Sequence, residues 1–442
     1  MSIASCCTFL AIACAVNTHP FACLPSVLTT PLVNKPGSRR KDETGPHHIH
    51  SASTMLSLRS LTYLLPFLSI ASAASLNPRE TACNNSPDLC SKAYNEIVHL
   101  GAHDSPFVRD SSTDDSTSGN QYYNTTVQLS AGVRLVSAQV HESNSEWHLC
   151  HSSCDLLDAG LLSDWLKEIK TWLDDNPNEV VTVLLVNSDD ATVSELAAQF
   201  TTASIVDDCY VPDSTTTPPT TWPTLQEIID DGKRLMTFVA SLDTSTITTN
   251  TSYLMDEFTF IFENPYDNTN TSSFTCAPNR PTAVENDVSA AIDSNRMALM
   301  NHFLYTVGAF DIETPDVTDI NTTNSDSTTT TGALGQALAS CKSDYGEVPT
   351  FTLVDFFDQG PAIDAVDNMN GVTSPTGRTA VPARDTDETE SASTWSKTSF
   401  EGVEELAEDV KDGQTPKLGA WIWAAGSWTF GGINLSGGNV LS

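Results

Sequence analysis

The chain is poor in basic residues. Its 442 residues hold 21 lysines and arginines against 56 aspartates and glutamates, which gives a formal net charge of −35 at pH 7. So acidic a surface repels phosphate-rich polymers, and the composition therefore argues against nucleic-acid binding and against membrane attachment through a polybasic segment. It suits a soluble protein of an acidic or extracellular environment.

Several catalytic motifs are also missing from the sequence. No glycine-rich dinucleotide loop follows the first strand-like run, and the chain has no phosphate loop, no Ser-centred nucleophile elbow and no H-E-x-x-H zinc helix. These absences argue against nucleotide-dependent enzymes, serine hydrolases and zinc proteases. We expect no cofactor.

The first 74 residues have the character of segments that a mature protein loses. Residues 1–54 combine four cysteines with a basic patch and show no hydrophobic periodicity. A stretch that begins at Met55 has one arginine, a short apolar run and an A-S-A ending at Ala73, which is the layout of a secretory signal peptide. We expect 1–54 to be a non-functional or removed extension, 55–74 to be the signal peptide, and the protein to be secreted and extracellular, with cell-wall association open.

The cysteines that follow this segment should mostly pair in an oxidising compartment. We expect three disulfides, the first two from nearness in sequence, and one free thiol: Cys83–Cys90, Cys150–Cys154, Cys276–Cys341 and a free Cys209. Sequons that agree with a secreted glycoprotein are found at Asn84, Asn124, Asn250, Asn270, Asn321 and Asn434.

From residue 93 onward, strand-like and helix-like segments alternate. Runs such as VVTVLLV are typical of strands buried on both faces, as in a parallel sheet covered by helices. Residues 161–173 place their leucines, isoleucine and tryptophans on one helical face. Repeated units of this kind predict a single α/β domain, a (β/α)8 barrel of the TIM type over 75–385, with a polar, acidic tail over 386–442. An open doubly wound sheet is the alternative.

Two histidines stand at predicted strand ends. His103 lies in GAHDS at the end of the first strand, and His151 lies in LCHSSC just after the second. Catalytic side chains project from the carboxyl ends of barrel strands, and two histidines that converge there can act as general base and general acid near neutral pH. A single histidine is more often a core or surface residue.

The segments GAHDS, GVRLVSAQVH, LCHSSC, NPNEVVTVLLVN and FTLVDFFDQG resemble, in order and spacing, the X-type barrel of phosphatidylinositol-specific phospholipase C. They look most like the fungal secreted branch of phospholipase C-like phosphodiesterases, over residues 83–372. The resemblance implies that His103 is the base that deprotonates a substrate hydroxyl and that His151 is the acid that protonates the leaving alcohol. It also implies that Asp104 orients His151 and that Asp355 orients His103.

The sequence departs from that family where the phosphate charge is neutralised. Bacterial relatives have an Asp and an Arg on the second strand, and animal relatives have two calcium-binding acids there; here these places hold Ser137 and Gln139, and the third-strand place holds Asn187. None is a cation or a good metal ligand, so we expect no metal. We nevertheless expect Ser137, Gln139, Asn187 and Glu263 to contact substrate: Gln139 and Asn187 would hydrogen-bond to it or satisfy each other, and Glu263 would line the site. Arg134 falls on the opposite strand face, which indicates a structural role.

The sequence thus predicts a secreted phosphoric diester hydrolase or lyase of the phospholipase C-like class, acting on a lipid-headgroup or small-molecule diester without metal. Two alternatives stay open: a secreted binding protein on a catalytically impaired barrel, and a structural wall glycoprotein. No nucleic-acid partner and no stable transmembrane segment are expected. Inositol lipid, other glycerophospholipids, GPI glycan and non-lipid diesters all remain candidate substrates.

The start of the mature protein is directly testable. We expect protein recovered from culture medium to begin just after Ala73, because signal peptidase cleaves behind a small-residue motif of this kind. N-terminal sequencing measures this. A start upstream of Met55 would contradict the prediction.

Overall fold

The structure, a computed structural model, describes residues 82–308 and 312–384, together with the backbone of two short strands further on. The segments expected to be an extension (1–54), a signal peptide (55–74) and most of a tail (386–442) lie outside the described residues. The strands are β1 (His99–Ala102), β2 (Leu135–Ser143), β3 (Glu146–Cys150), β4 (Asp158–Leu161), β5 (Val181–Asn187), β6 (Leu235–Ala240), β7 (Met255–Asp256), β8 (Ile261–Glu263), β9 (Met297–Asn301), β10 (Tyr305–Val307), β11 (Glu313–Pro315), β12 (Phe351–Val354), β13 (Thr429–Phe430) and β14 (Ile433–Asn434). The helices are α1 (Thr125–Ala131), α2 (Leu162–Asp175), α3 (Val193–Thr202), α4 (Leu225–Asp230), α5 (Glu257–Phe260), α6 (Val288–Asp293), α7 (Ile320–Thr323), α8 (Leu334–Tyr345) and α9 (Ala362–Asn370). None of these described helices has the length and apolarity that a membrane crossing needs.

Eight parallel strands form one curled sheet in the order β7-β6-β5-β2-β1-β12-β9-β8. The antiparallel strands β3 and β4 extend it beyond β2. The two ends of the path, β7 and β8, are consecutive in the chain and separated only by α5, which contacts β6, β7 and β8. Within the described residues no ladder joins β7 to β8, so α5 forms the wall at this seam. The predicted single α/β domain with a mostly parallel, barrel-like sheet is confirmed.

The strands are buried on both faces, which explains their nearly continuous apolar sequences. Alternate residues point inside the curled sheet and form one cluster with members Leu135, Leu184, Met236, Phe238, Met255, Ile261, Met297, Leu299, Phe351 and Leu353. The intervening residues pack under the helices in a second cluster, with strand members such as Val136, Ala138, Val140, Val183, Leu185 and Val354. The inside of the sheet is therefore a packed core, and a site can open only at its ends.

The apolar run over 258–262 (FTFIF) forms a strand only in its last two residues. The side chain of Asp256 accepts a hydrogen bond from the backbone N–H of Thr259 at 2.8 Å, which caps α5 and takes this segment out of the sheet. Strand β8 therefore begins only at Ile261. The helix expected over 161–173 and the strand expected after it are present as α2 and β5.

The disulfide predictions are confirmed. Three disulfides join Cys83 to Cys90, Cys150 to Cys154 and Cys276 to Cys341. Cys209 is free and buried. Cys150–Cys154 closes the loop that carries His151, so this crosslink bears directly on the candidate site.

Arg134 has the structural role expected from strand alternation. It is 4% exposed, and its guanidinium donates hydrogen bonds to the carboxylate of Glu179, to Asn85 Oδ1 at 2.7 Å and to the carbonyl of Leu129 at 2.7 Å. A buried guanidinium with all these partners joins neighbouring segments of the outer wall, and losing Glu179 would leave its charge uncompensated.

Gly101 provides a test of the interior packing. A Cβ at this position would lie 2.7 Å from Leu353 Cδ2 and 2.8 Å from Leu135 Cδ2. Gly101→Ala should therefore lower the free energy of unfolding by about 1–3 kcal/mol, measured by denaturant titration, because the core is close-packed. Combining it with Leu353→Val, which makes room, should cost less than the sum of the two single changes; strict additivity would contradict this packing.

Candidate active site

Five polar side chains continue the inward-facing series of their strands at the carboxyl end of the sheet. They are His103, Gln139, Glu263, Asn301 and Asp355, which follow Gly101, Ser137, Ile261, Leu299 and Leu353 at intervals of two residues. The first loop and the disulfide-closed loop after β3 add Asp104 and His151. This end is where the parallel strands of an α/β barrel present their functional side chains.

His103 is held by Asp355 and Asn120. Its Nδ1 lies 2.9 Å from Asp355 Oδ1, and the side-chain amide of Asn120 donates to the same oxygen at 3.1 Å. An imidazole bonded through Nδ1 to a carboxylate has its tautomer fixed and presents Nε2 to a substrate. The structure thus places Asp355 behind His103, in the position that the family resemblance implies.

Asp104 lies between the two histidines. Its Oδ2 is 3.6 Å from His103 Nε2 and 3.7 Å from His151 Nε2, longer than hydrogen bonds in both cases. Asp104 has a left-handed backbone, with φ of 47°, and its N–H donates to Ser137 Oγ at 2.9 Å. Gln139 Nε2 donates to Asp104 Oδ2 at 2.7 Å. One carboxylate therefore faces both imidazoles, and β2 holds it there.

Gln139 also positions the loop of His151. Its Oε1 accepts a hydrogen bond from Ser152 N at 2.9 Å while its Nε2 binds Asp104. Both ends of this amide are thus used inside the protein, and Ser137 Oγ is used by the backbone of Asp104. Ser137 and Gln139 therefore do not form a calcium site, because calcium needs several convergent oxygens that are free to bind it.

Two aromatic rings restrain the histidines. Phe303 stacks on His103, with ring centroids 3.8 Å apart and an interplanar angle of 4°. Phe107 packs edge-on against His151 at 5.4 Å. Both phenylalanines are fully buried. A stacked ring fixes the plane of the imidazole and favours its charged form.

Burial and the nearby charges shift the pKa values of the two histidines in opposite directions. Burial disfavours the charged form of His103, but the charges of Asp104 and Asp355 outweigh it, so the pKa of His103 is raised above its ordinary value. Burial dominates at His151, and the charge of His103 adds to it, so the pKa of His151 is lowered. Burial raises the pKa of Asp355 against the opposing effect of His103. A single proton on the pair therefore resides mainly on His103.

Asn187 does not reach this cluster, and the expectation that it binds substrate beside Gln139 is wrong. It follows Val183 and Leu185, which pack on the outer side of the sheet. Its amide accepts from Ala191 N at 2.8 Å and donates to Ala191 O at 2.9 Å, closing the loop after β5. The inward place belongs to its neighbour Val186, which is 38% exposed. The mutual Gln139–Asn187 pairing is therefore also absent.

Glu263 lies at the mouth but is already paired. It is 3% exposed, binds the guanidinium of Arg280 through two nitrogens and accepts from Asn301 Nδ2 at 3.2 Å. Arg280 in turn lies over the ring of Tyr266 at 4.5 Å. Glu263 contributes to the raised pKa of His103, so its charge is felt at the site even though its oxygens are engaged.

Three of these neighbours could not be recognised from the sequence. Asn120 lies in a polar loop, Phe303 follows an apolar run that is typical of a core strand, and Arg280 is separated from Glu263 by 17 positions. Only the contacts of the folded chain distinguish them from many similar residues.

The rim above β2 carries a second pair of histidines. His141 and His148 are cross-strand neighbours, and each has a carboxylate at its Nδ1: Asp189 at 3.3 Å and Asp158 at 3.0 Å. Among the described residues, one cluster of three or more histidine, cysteine or acidic side chains is compact enough to hold a metal ion. It consists of Cys150, Cys154 and Asp158. Since those two cysteines are bonded to each other, the group is a disulfide loop.

The described fold is thus a mostly parallel α/β barrel with two histidines and their carboxylates at one mouth. The PI-PLC X family model (PI-PLC X 1) matches residues 89–370 of this chain. The chain therefore belongs to the PI-PLC X family.

Two curated relatives come from the fungus Arthroderma benhamiae. A PI-PLC X domain-containing protein 1 is 34% identical over 322 residues, which cover 72% of this chain and 100% of the relative. A protein named as an uncharacterized secreted protein is also 34% identical, over 68% of this chain and 65% of its own length.

Among solved structures, the phosphatidylinositol-specific phospholipase C of Listeria monocytogenes aligns with 64% of this chain and 95% of its own, at 15% identity and a TM-score of 0.44. A Staphylococcus aureus phosphatidylinositol-specific phospholipase C aligns with 63% of this chain and 94% of its own, at 13% identity and a TM-score of 0.43.

The pKa of His103 tests the electrostatics of the cluster. Asp355→Asn removes a charge that favours the imidazolium, so the titration midpoint of His103 should move to lower pH, as measured by NMR of the imidazole carbons. Asp189→Asn, which removes the partner of the rim residue His141, should leave that midpoint in place. An unchanged midpoint in Asp355→Asn would show that the carboxylate does not act on His103.

Proposed function

We propose that this protein is a phosphoric diester hydrolase or lyase of the phospholipase C-like class, with His103 as general base and His151 as general acid. The observation that carries the proposal is the arrangement at the mouth: Asp355 bonds the far nitrogen of His103, and both Nε2 atoms face the carboxylate of Asp104. Two oriented imidazoles are what cleavage of a diester with alcohol release requires.

In the proposed reaction one proton moves from the substrate to His103, and another moves from His151 to the leaving group. His103 Nε2 takes the proton of a substrate hydroxyl, whose oxygen forms a bond to phosphorus. The bond from phosphorus to the leaving oxygen breaks, and His151 Nε2 gives its proton to that oxygen. Asp355 stabilises the imidazolium that forms at His103, and the carboxyl group of Asp104 lies between the two rings.

The protonation states set the pH dependence of this reaction. The reactive form needs a neutral His103 and a protonated His151, whereas the raised pKa of His103 and the lowered pKa of His151 favour the opposite distribution of one proton. Among molecules in which the two histidines together hold one proton, the reactive form is therefore a constant, minor fraction. The alkaline limb of a pH–rate profile marks loss of the proton held mainly by His103, and the acid limb marks double protonation.

A secreted, non-catalytic binding protein is the second candidate, and the engaged side chains of β2 favour it. Ser137 and Gln139 stand where relatives have a cation or calcium ligands, and both are committed to Asp104. The charges that act on His103 are those of Asp104, Asp355 and Glu263, all negative. Electrostatic stabilisation is usually the largest catalytic contribution, so turnover without a cation at this strand would be slow.

Secretion is part of the proposal. It is supported by the signal-like segment over 55–74, by three disulfides among the described residues, and by the relative whose name describes it as secreted. Attachment to a cell wall is a further hypothesis.

A panel of phosphodiesters tests the enzyme against the binding protein. We expect the secreted protein to release headgroup from at least one of an inositol lipid, another glycerophospholipid, a GPI glycan or a non-lipid diester. His103→Ala should reduce this rate by about 10²–10⁴-fold through loss of the base, and chelator should have no effect.

His148→Ala is the matched control, because it removes a carboxylate-paired histidine from the rim and should keep the activity. If the wild type and His103→Ala are equally inert across the panel, the hydrolase proposal fails. Binding of a headgroup without turnover would then support the second candidate.

A further inference from the structure

Sequon asparagines differ sharply in their accessibility. Four are exposed: Asn124, Asn250, Asn270 and Asn321. Asn84 is 6% exposed, its Oδ1 accepts from Val180 N at 2.7 Å, and its Nδ2, the atom that a glycan would use, is enclosed without a partner in the described structure. A glycan has no room there. The sixth sequon, at Asn434, lies where no side chain is described.

Asn124 is close to the mouth. It follows Gln121 by three positions, and the side chain of Gln121 donates to the carbonyl of His103 at 2.8 Å. Three residues of chain span at most ~11 Å. Asn124 caps α1, with Oδ1 accepting from Val127 N at 3.1 Å, so its Nδ2 is directed away from the helix and toward solvent.

Asn270 and Asn321 are tied to the mouth in the same way. Asn270 follows Asn268, whose backbone carbonyl accepts from Tyr305 N at 2.8 Å just beyond β9. Asn321 precedes Asn324 by three positions, and the amide of Asn324 donates to the carbonyl of the residue that bonds His103, Asp355, at 2.9 Å. Three exposed sequons thus stand on three different segments tied to one opening: Asn124 just before α1, Asn270 in the loop after β8, and Asn321 in α7.

Two exposed apolar side chains, Tyr266 and Val317, lie near two of these sequons in the chain, and we call them the apolar rim. Tyr266 is 45% exposed and precedes Asn270 by four positions, and Val317 is 42% exposed and precedes Asn321 by four. Exposed apolar groups beside a mouth attract a lipid surface or another protein unless something covers them. An N-linked glycan is bulky and polar, and it is large enough to cover an exposed side chain four positions away in the chain.

We propose that N-linked glycans on Asn124, Asn270 and Asn321 surround the mouth, cover its apolar rim and keep it away from the plane of a bilayer. The substrates are then phosphodiesters that enter from solution, or headgroups that extend well beyond a membrane surface. Burying hydrated sugars against a bilayer would cost their hydrogen bonds to water. This inference rests on the proposed secreted diesterase and adds the class of substrate that its mouth admits.

Site occupancy is measured first. The full chain, secreted from a eukaryotic host, is treated with peptide N-glycosidase in ¹⁸O water, which marks each formerly glycosylated asparagine as labelled aspartate. We expect label at Asn124, Asn270 and Asn321 and none at Asn84. Absence of label at the three rim positions in protein taken from the medium, or label at Asn84, would overturn the inference.

The screening effect is measured by co-sedimentation with phosphatidylcholine vesicles. The rim glycans are removed together by Thr126→Ala, which keeps the helix cap of Asn124, with Asn270→Gln and Asn321→Gln. The wild type should stay in solution, and the triple variant should bind more than about tenfold better, because its apolar rim is uncovered. Asn250→Gln, which removes a sequon away from these contacts, is the control and should behave as the wild type.

Either vesicle binding by the glycosylated wild type or no gain in the triple variant would refute the screening. Neither measurement depends on turnover. A protein that is inert on every diester, yet labelled and screened as described, would therefore count against the proposed activity alone.

Discussion

The buried carboxylate of Asp104 is the group on which the mouth depends. It is 1% exposed, faces both imidazoles within 3.7 Å and takes a left-handed backbone to do so. Such a conformation persists only where neighbours impose it, and here Ser137 fixes its N–H while Gln139 fixes its oxygen. β2 therefore uses its inward polar residues to hold the carboxylate of Asp104. The cost of keeping this charge buried is met by the proton that His103 carries.

The general fold could be predicted from the sequence because parallel strands buried on both faces need long apolar runs, and helices need their own period. His103 could be placed because it ends such a strand, whereas His151 follows the short antiparallel strand β3 and was placed by the family resemblance. The position of Asn187 could not be predicted. A shift of one residue along a strand moves a side chain to the other face of the sheet, and a resemblance to a motif does not fix which face it takes. Phe303 was equally hidden, since a phenylalanine after an apolar strand is core in most proteins. Contacts such as His103–Asp355 join residues 252 positions apart, and here only a known family suggested the pair.

The seam between β7 and β8 shows how the chain closes its sheet without a ladder. α5 bridges the two strands in a single turn, and Glu257 at its start is fully buried next to Glu263. Burial and the charge of Glu263 raise the pKa of Glu257 well above its ordinary range, so this carboxyl stays neutral. A protonated acid can donate to Glu263 while Arg280 neutralises it from the other side. At the seam, contacts between these polar side chains thus replace the backbone hydrogen bonds that join neighbouring strands elsewhere in the sheet.

Cys209 gives the fold a built-in reporter of its own opening. It is 1% exposed, and burial raises the pKa of its thiol to about 12, so almost no thiolate is available at neutral pH. The other cysteines of the described part are held in disulfides. Alkylation of this sulfur requires the segment around Cys209 to separate from β6, which it joins through a bridge to Leu235, so the rate of labelling measures how often this part of the native fold opens.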